Sequence, residues 1–342
     1  MKAIRIHEHG GPERLVSEDL PEKPLRADEA RVRLSAIGMN HLDLWVRRGI
    51  PGVRYPLPLV PGSDGAGVVS EIGSLGHGFK TGDRVALAPG LSCGTCESCL
   101  LGRDNLCGKY GILGETRDGT YAESVTVPAG NLIPIPEGIP FEEAAAIPLV
   151  FLTAWQMIVE NAKVRPGETV VVLGAGSGVG TAAIQIARLH SARVIAASGS
   201  AEKLSKARDL GAEDGIDLSR SVLREEVRRL TGRRGADVIV DHVGLATWEQ
   251  SVLSLARGGR LVTCGATTGA DVPLNLRYVF FKNLSILGST MGPRGSLQAV
   301  FRHVAAGRLR AVVDRVLPLS RVGEAHRLLE ERGVFGKIIL TP

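Results

Sequence analysis

Four of the chain's five cysteines crowd into one stretch, Cys93, Cys96, Cys99 and Cys107, with two, two and seven residues between them. Thiolates at this spacing can close a tetrahedron around Zn2+, and Gly94, Gly102 and Gly108 let the backbone fold around the ion. Four protein ligands leave no open coordination position, so the expectation is one structural zinc. Disulfides are the other use of such cysteines, and the cytoplasmic location expected below disfavours them. A second constellation is Val170-Val171-Val172-Leu173-Gly174-Ala175-Gly176-Ser177-Gly178-Val179-Gly180. It reads as a buried strand, a glycine turn and a helix start. Backbone N–H groups at Ala175, Gly178, Val179 and Gly180 could approach a pyrophosphate there, helped by the positive end of the helix dipole. About 20 residues further on, a second strand ends in Ser198-Gly199-Ser200, where an NAD-preferring site places an acid for the ribose hydroxyl. With no acid present, Ser198, Ser200 and Lys203 are candidates to bind a 2′-phosphate. The expected cofactor is NADP(H), with NAD(H) as the alternative.

These groups need a scaffold, and 342 residues suffice for two domains. Residues 1–150 read as β, with alternating runs at 30–36, 67–72, 83–88 and 121–127 broken by turn signals, and predict a partly closed barrel. Residues 140–161 read as a helix bent at Pro148. From 169 onward strands (169–173, 192–197, 236–240, 260–264, 284–289) alternate with helices (178–190, 201–210, 222–230). That rhythm specifies an α/β fold with a doubly wound parallel sheet. A helix at 296–306 and a strand at 336–340 end the chain. The expected division is residues 1–150, 151–293 and 294–342, the last completing the first domain.

Composition narrows the function. Hydrophobic residues make up 44% and charged residues 23%, and the net charge is only +5. No basic stripe interleaved with aromatics appears, so nucleic acid is not an expected partner. No apolar run is long enough to span a membrane, and the N-terminus lacks a signal peptide's apolar core, so a cytoplasmic location is expected.

The chain resembles the medium-chain dehydrogenase/reductase superfamily over essentially its whole length. The resemblance is carried by Pro61-Gly62-x-Asp64-Gly65-x-Gly67-x-Val69, the cysteine lobe, Leu152-Thr153-Ala154-Trp155, the glycine turn and Gly336-Lys337. It implies a GroES-like catalytic domain around a Rossmann domain, with Thr153, Val243, Gly244, Gly265, Ala266 and Lys337 added to the cofactor contacts. Zinc alcohol dehydrogenases of this superfamily hold a second, catalytic zinc through Cys, His and Cys. The matching positions here are Asn40, Ser63 and Leu149, which offer no credible zinc frame, and the acidic neighbour of the histidine becomes Asp64. In this respect the chain looks like the zinc-free quinone oxidoreductases, although those usually lack the cysteine lobe.

Without a Lewis acid to stabilise an alkoxide, the accessible chemistry is hydride transfer to an electrophilic acceptor, a quinone or an α,β-unsaturated carbonyl. Asn40 and Tyr55 are the expected donors to the oxygen where charge develops. The alternatives are an alcohol dehydrogenase with zinc ligands displaced to His41, Asp43 or Asp64, and a non-catalytic cofactor-binding protein. The apolar edge strand at 283–289 predicts a homodimer.

Overall fold

The computed structural model describes every residue from Met1 to Pro342. The chain separates into two compact units, one made of Met1–Leu152 and Pro293–Pro342, the other of Thr153–Gly292.

In the first unit the central element is β1 (Glu29–Gly38), whose alternating apolar residues Ala30, Val32 and Leu34 enter the core. The tight turn after Gly38 leads into α1 (His41–Arg48). Next come β2 (Asp64–Ile72), β3 (Arg84–Leu87), β4 (Ser124–Pro128) and β5 (Leu132–Pro134). Two helices follow, α2 (Phe141–Ala145) and α3 (Pro148–Trp155). The expected single bent helix is therefore two. Pro148 starts a helix instead of bending one, because its missing N–H and fixed φ suit a first turn and its ring disfavours helical backbone just before it. A Cβ on Gly38 would lie 2.2 Å from the Ala145 carbonyl oxygen, so glycine is what lets α2 pack against the end of β1.

The second unit is built from β6 (Thr169–Leu173), α4 (Gly178–Leu189), β7 (Arg193–Ser198), α5 (Ala201–Arg208), β8 (Asp214–Asp217), α6 (Leu223–Leu230), β9 (Ala236–Val240), β10 (Leu255–Thr263) and β11 (Ser285–Gly288). The order is β8-β7-β6-β9-β10-β11 and all pairs are parallel. All five residues of β6 are buried, as a central strand covered on both faces requires. The strand order reverses at β6, beside β9, and such a reversal leaves a crevice at the C-terminal strand ends.

The chain then returns to the first unit with β12 (Val313–Pro318), α7 (Val322–Glu330) and β13 (Lys337–Thr341). The sheet there runs β12-β13-β1-β2-β3-β5, with β4 also paired to β1. No helix in the chain is long and apolar enough to cross a membrane.

Candidate functional site

Strand register brings three distant residues together. Gly38, at the end of β1, pairs with Asp64 on one side and Ile339 on the other. The Met39 amide also donates to the Ile338 carbonyl at 3.0 Å. Asn40, Asp64 and Lys337 therefore converge, and all three are buried. The Lys337 ammonium donates to Asn40 Oδ1 at 2.5 Å and to Asp64 Oδ2 at 3.1 Å. Asn40 Nδ2 donates to the same Asp64 oxygen at 2.9 Å, and Asp64 Oδ1 accepts the Leu149 amide at 2.9 Å. That amide lies in the first turn of α3, where a carboxylate also suits the helix dipole. Burial raises the Asp64 carboxyl above its ordinary value, against the opposing pull of Lys337 and Asn40.

This arrangement corrects the expectation for Asn40. Its amide faces Asp64 and the Gly38 carbonyl (3.3 Å), so it braces the ion pair and has no hydrogen left for a ligand. Lys337, expected among the cofactor contacts, has its ammonium committed to this cluster, with one of its three hydrogens unassigned. At the other two positions where zinc relatives place ligands, the Ser63 hydroxyl is buried with no partner, and residue 149 contributes its backbone. Tyr55 packs on the small apolar cluster of Ile6, Val46 and Leu59, edge-on to His9. Its hydroxyl is buried without a partner, and no hydrogen bond joins it to Asn40.

Beside Asn40 lies a buried chain that the sequence did not reveal. Asp43 Oδ2 accepts the backbone N–H of Asn40 at 2.8 Å and the Tyr121 hydroxyl at 2.9 Å. Tyr121 Oη meets His326 Nε2 at 3.1 Å, and Arg47 meets His326 Nδ1 at 3.1 Å. Arg47 also pairs with Glu330. Burial pushes the Asp43 carboxyl up to about 7 and, with Arg47 and Arg48, pushes His326 down to about 3.

In the second unit the glycine turn connects β6 to α4. Gly174 has φ +57°, and a Cβ on Gly180 would lie 2.4 Å from the Gly174 carbonyl oxygen. Ser177 caps α4 by accepting the Gly180 amide at 2.9 Å. Gly178 and Val179, in the first turn, have no intrahelical acceptor, which leaves amides facing outward for an anion. Ser198 ends β7, and Ser200 caps α5, its oxygen accepting the Lys203 amide at 3.4 Å. Val243 and Gly244 follow β9, and Gly265 and Ala266 follow β10, at the same C-terminal edge. Their loop is held by buried Asp241, which accepts the Val243 and Gly244 amides and the Thr247 and Ser251 hydroxyls. Gly244 has φ +87°, and a Cβ there would come within 2.6 Å of the Gly269 carbonyl oxygen. This geometry fits a dinucleotide. Thr153 is buried, its hydroxyl 3.9 Å from the Met291 sulfur. His242 was missed from sequence; its Nε2 meets the Ser177 hydroxyl at 3.1 Å and its Nδ1 is buried without a partner.

The four lobe cysteines carry free thiols whose sulfurs all lie within 4.8 Å of one another. Cys93 to Cys99 is 3.9 Å and Cys96 to Cys99 is 3.5 Å. Metal–sulfur bonds of about 2.3 Å at tetrahedral angles give sulfur separations of about 3.8 Å, so the set fits zinc. Backbone amides of Cys96 and Lys109 point at the Cys93 and Cys107 sulfurs, as suits thiolates. No other group of three or more His, Cys, Asp or Glu side chains converges as a metal site.

Residues 26–137 match the alcohol dehydrogenase GroES-like domain, and residues 178–306 match the zinc-binding dehydrogenase family. An alcohol dehydrogenase of Schizosaccharomyces pombe is 31% identical over 99% of this chain and 97% of its own length. A quinone oxidoreductase of Pongo abelii is 29% identical over 99% of this chain and 97% of its own. A solved structure described as an NAD-dependent alcohol dehydrogenase shares 52% identity and a TM-score of 0.97, with 100% of both chains covered. With both domains matched and relatives aligned along its whole length, the chain belongs to the medium-chain dehydrogenase/reductase superfamily of oxidoreductases.

Proposed function

We propose that the chain is an NADPH-dependent reductase of conjugated carbonyl acceptors, a quinone or an α,β-unsaturated ketone or aldehyde, working as a cytoplasmic homodimer. It holds a structural zinc in Cys93, Cys96, Cys99 and Cys107 and uses no catalytic zinc. The observation that carries this reading is the Asn40–Asp64–Lys337 cluster. An ammonium neutralises the carboxylate where zinc relatives assemble a metal frame, and Asn40, Ser63 and Leu149 supply no ligand set.

When bound, the dihydronicotinamide supplies a hydride to the electrophilic carbon. The glycine turn and the amides of α4 hold the pyrophosphate, and Ser198, Ser200 and Lys203 accommodate the 2′-phosphate. Lys337, through its third N–H, and the unpartnered hydroxyls of Ser63 and Tyr55 are the donors to the acceptor oxygen, Asn40 being the brace. Both hydroxyl oxygens are buried, so a hydrogen bond to substrate would satisfy them.

A second reading, an NAD-dependent alcohol dehydrogenase, is favoured by the description of the 52% identical structure. The two are separated by comparing NADPH- and NADH-dependent reduction of quinones and enones with NADP+- and NAD+-dependent oxidation of primary alcohols. Each assay is run with and without a chelator too mild to strip the cysteine lobe. Chelator-insensitive reduction of conjugated acceptors supports the proposal; dominant, chelator-sensitive alcohol oxidation restores a catalytic zinc. Turnover in neither direction leaves a non-catalytic binding protein.

A further inference from the structure

We propose that Tyr121, His326 and Arg47 are positioning residues, a one-way chain of hydrogen bonds that fixes the Asp43 carboxylate and, through it, Asn40 and Lys337. The inference rests on the reading that the Asn40–Asp64–Lys337 cluster faces the acceptor.

The polarity of the chain follows from what each group can donate. Arg47 has only donors, so its contact with His326 makes Nδ1 the acceptor. The buried neutral imidazole then carries its proton on Nε2, which donates to Tyr121 Oη. Tyr121 must therefore aim its own proton at Asp43 Oδ2. The same oxygen accepts the backbone N–H of Asn40, the backward reach of a capping box from the third residue of α1 to the residue before the helix. The Asn40 side chain in turn accepts from Lys337 at Oδ1 and donates from Nδ2 to Asp64. From Arg47 to Asp43 every donor points inward, and Asp43 Oδ2 is the acceptor on which this run and the Asn40 backbone N–H meet from opposite sides. Arg47 cannot give up a proton, so the chain supplies orientation and is no conduit for protons.

The residues come from α1, the segment between β3 and β4, and α7, with Glu330 holding Arg47 at the outer end. The groups bearing on Asp43 are the Tyr121 hydroxyl and Asn40 amide by contact, and the charges of Lys337 and Asp64 at longer range. His326, on the facing helix α7, stays neutral across the working pH range. The ionised form of Asp43 is the one that grips both donors, so the bracing tightens as pH rises through about 7.

Two readouts test this. Carboxyl 13C NMR of the substrate-free protein, labelled in aspartate, follows the Asp43 titration, and kcat/KM against pH follows turnover. Tyr121→Phe removes one of two donors to Oδ2, and a hydrogen bond to a charged group is worth enough to move the titration upward by about one pH unit. The rising limb of the rate profile should move with it. His326→Leu should produce a shift in the same direction. His326→Gln, whose amide can accept from Arg47 and donate to Tyr121, should return the titration to its wild-type position. Unshifted titration and rate profile in Tyr121→Phe and His326→Leu, with only lower melting or uniformly lower rate, would overturn the chain. If Tyr121→Phe does not fold, the His326→Leu and His326→Gln pair decides. The NMR titration needs no substrate, so inactivity toward conjugated acceptors overturns the proposed function alone. Wild-type turnover with an unmoved titration in the variants overturns the positioning chain alone.

Discussion

Replacing Asp43 with Asn should make the protein gain stability relative to wild type as pH rises, although it removes a member of a buried polar network. The folded state holds the Asp43 carboxyl at about 7, against 3.8 for the ordinary group. The folded chain therefore keeps a proton that the unfolded chain releases. The stability this contributes is complete below about pH 4 and is lost as pH rises through about 7. The full excursion is about 3 pH units at about 1.4 kcal/mol each, or about 4 kcal/mol, of which more than half falls between pH 5 and pH 8. In Asp43→Asn the side-chain oxygen can still accept from Tyr121 and the Asn40 amide, and no charge is buried. Any fixed cost of the new amide is the same at every pH and cancels from the slope. The expected result is that the variant's melting temperature, relative to wild type, rises by about 5–10 °C between pH 5 and pH 8 in the first unit. Differential scanning calorimetry at half-unit pH steps measures it. A difference between the two proteins that does not change with pH would refute the reasoning, because Asp43 would then be an ordinary low-pKa carboxylate.

Cys96→Ser and Cys99→Ser should each lower zinc content and melting temperature together while leaving the chemistry of residual folded protein unchanged. Zinc analysis beside thermal melts checks this, and full zinc retention with unchanged melting in both would count against the lobe. Ser198→Asp should shift preference from NADPH toward NADH, since the new carboxylate accepts from the ribose and repels a 2′-phosphate; dissociation constants for the two cofactors read it directly. A wild type that binds NADH more tightly than NADPH would contradict the premise. The edge strand β11 and the neighbouring helix with exposed Leu276, Phe280 and Phe281 should pair with a second copy, so light scattering at micromolar concentration should give a dimeric mass. A monomer at that concentration would contradict it.

How much of this could be read from sequence depended on how local the signal was. The cysteine lobe is held within one short loop, so spacing alone specified its convergence. The glycine turn announced itself because β6, buried on both faces, is an unbroken apolar run followed by the residues that only close backbone approach requires. Asn40 was found, but its task was not. The sequence shows an amide in a turn, while Lys337, separated from it by 297 positions, reaches it only through the β1–β13 register. His326 was missed together with its helix. Val322–Glu330 buries only Val322, Ala325 and His326, an apolar face too sparse to stand out among charged neighbours. His242 and Asp241 were missed because their work, holding the turn and the loop after β9, lies in contacts between strand ends that no periodicity encodes.

The first unit's sheet is discontinuous in sequence, and this fixes an order of assembly. β13 lies inside that sheet, between β12 and β1, yet all of the second unit is synthesised before it. Domains tend to fold as units while the chain is being made, N-terminal parts first. The second unit can thus complete its parallel sheet while the first still lacks two strands. Until β13 docks, Asp64 has no ammonium beside it and Asn40 has nothing to brace. A nascent or truncated chain could therefore bind dinucleotide before it could act on a substrate, which makes the last-made strand a checkpoint between a cofactor-competent chain and a catalytically competent one.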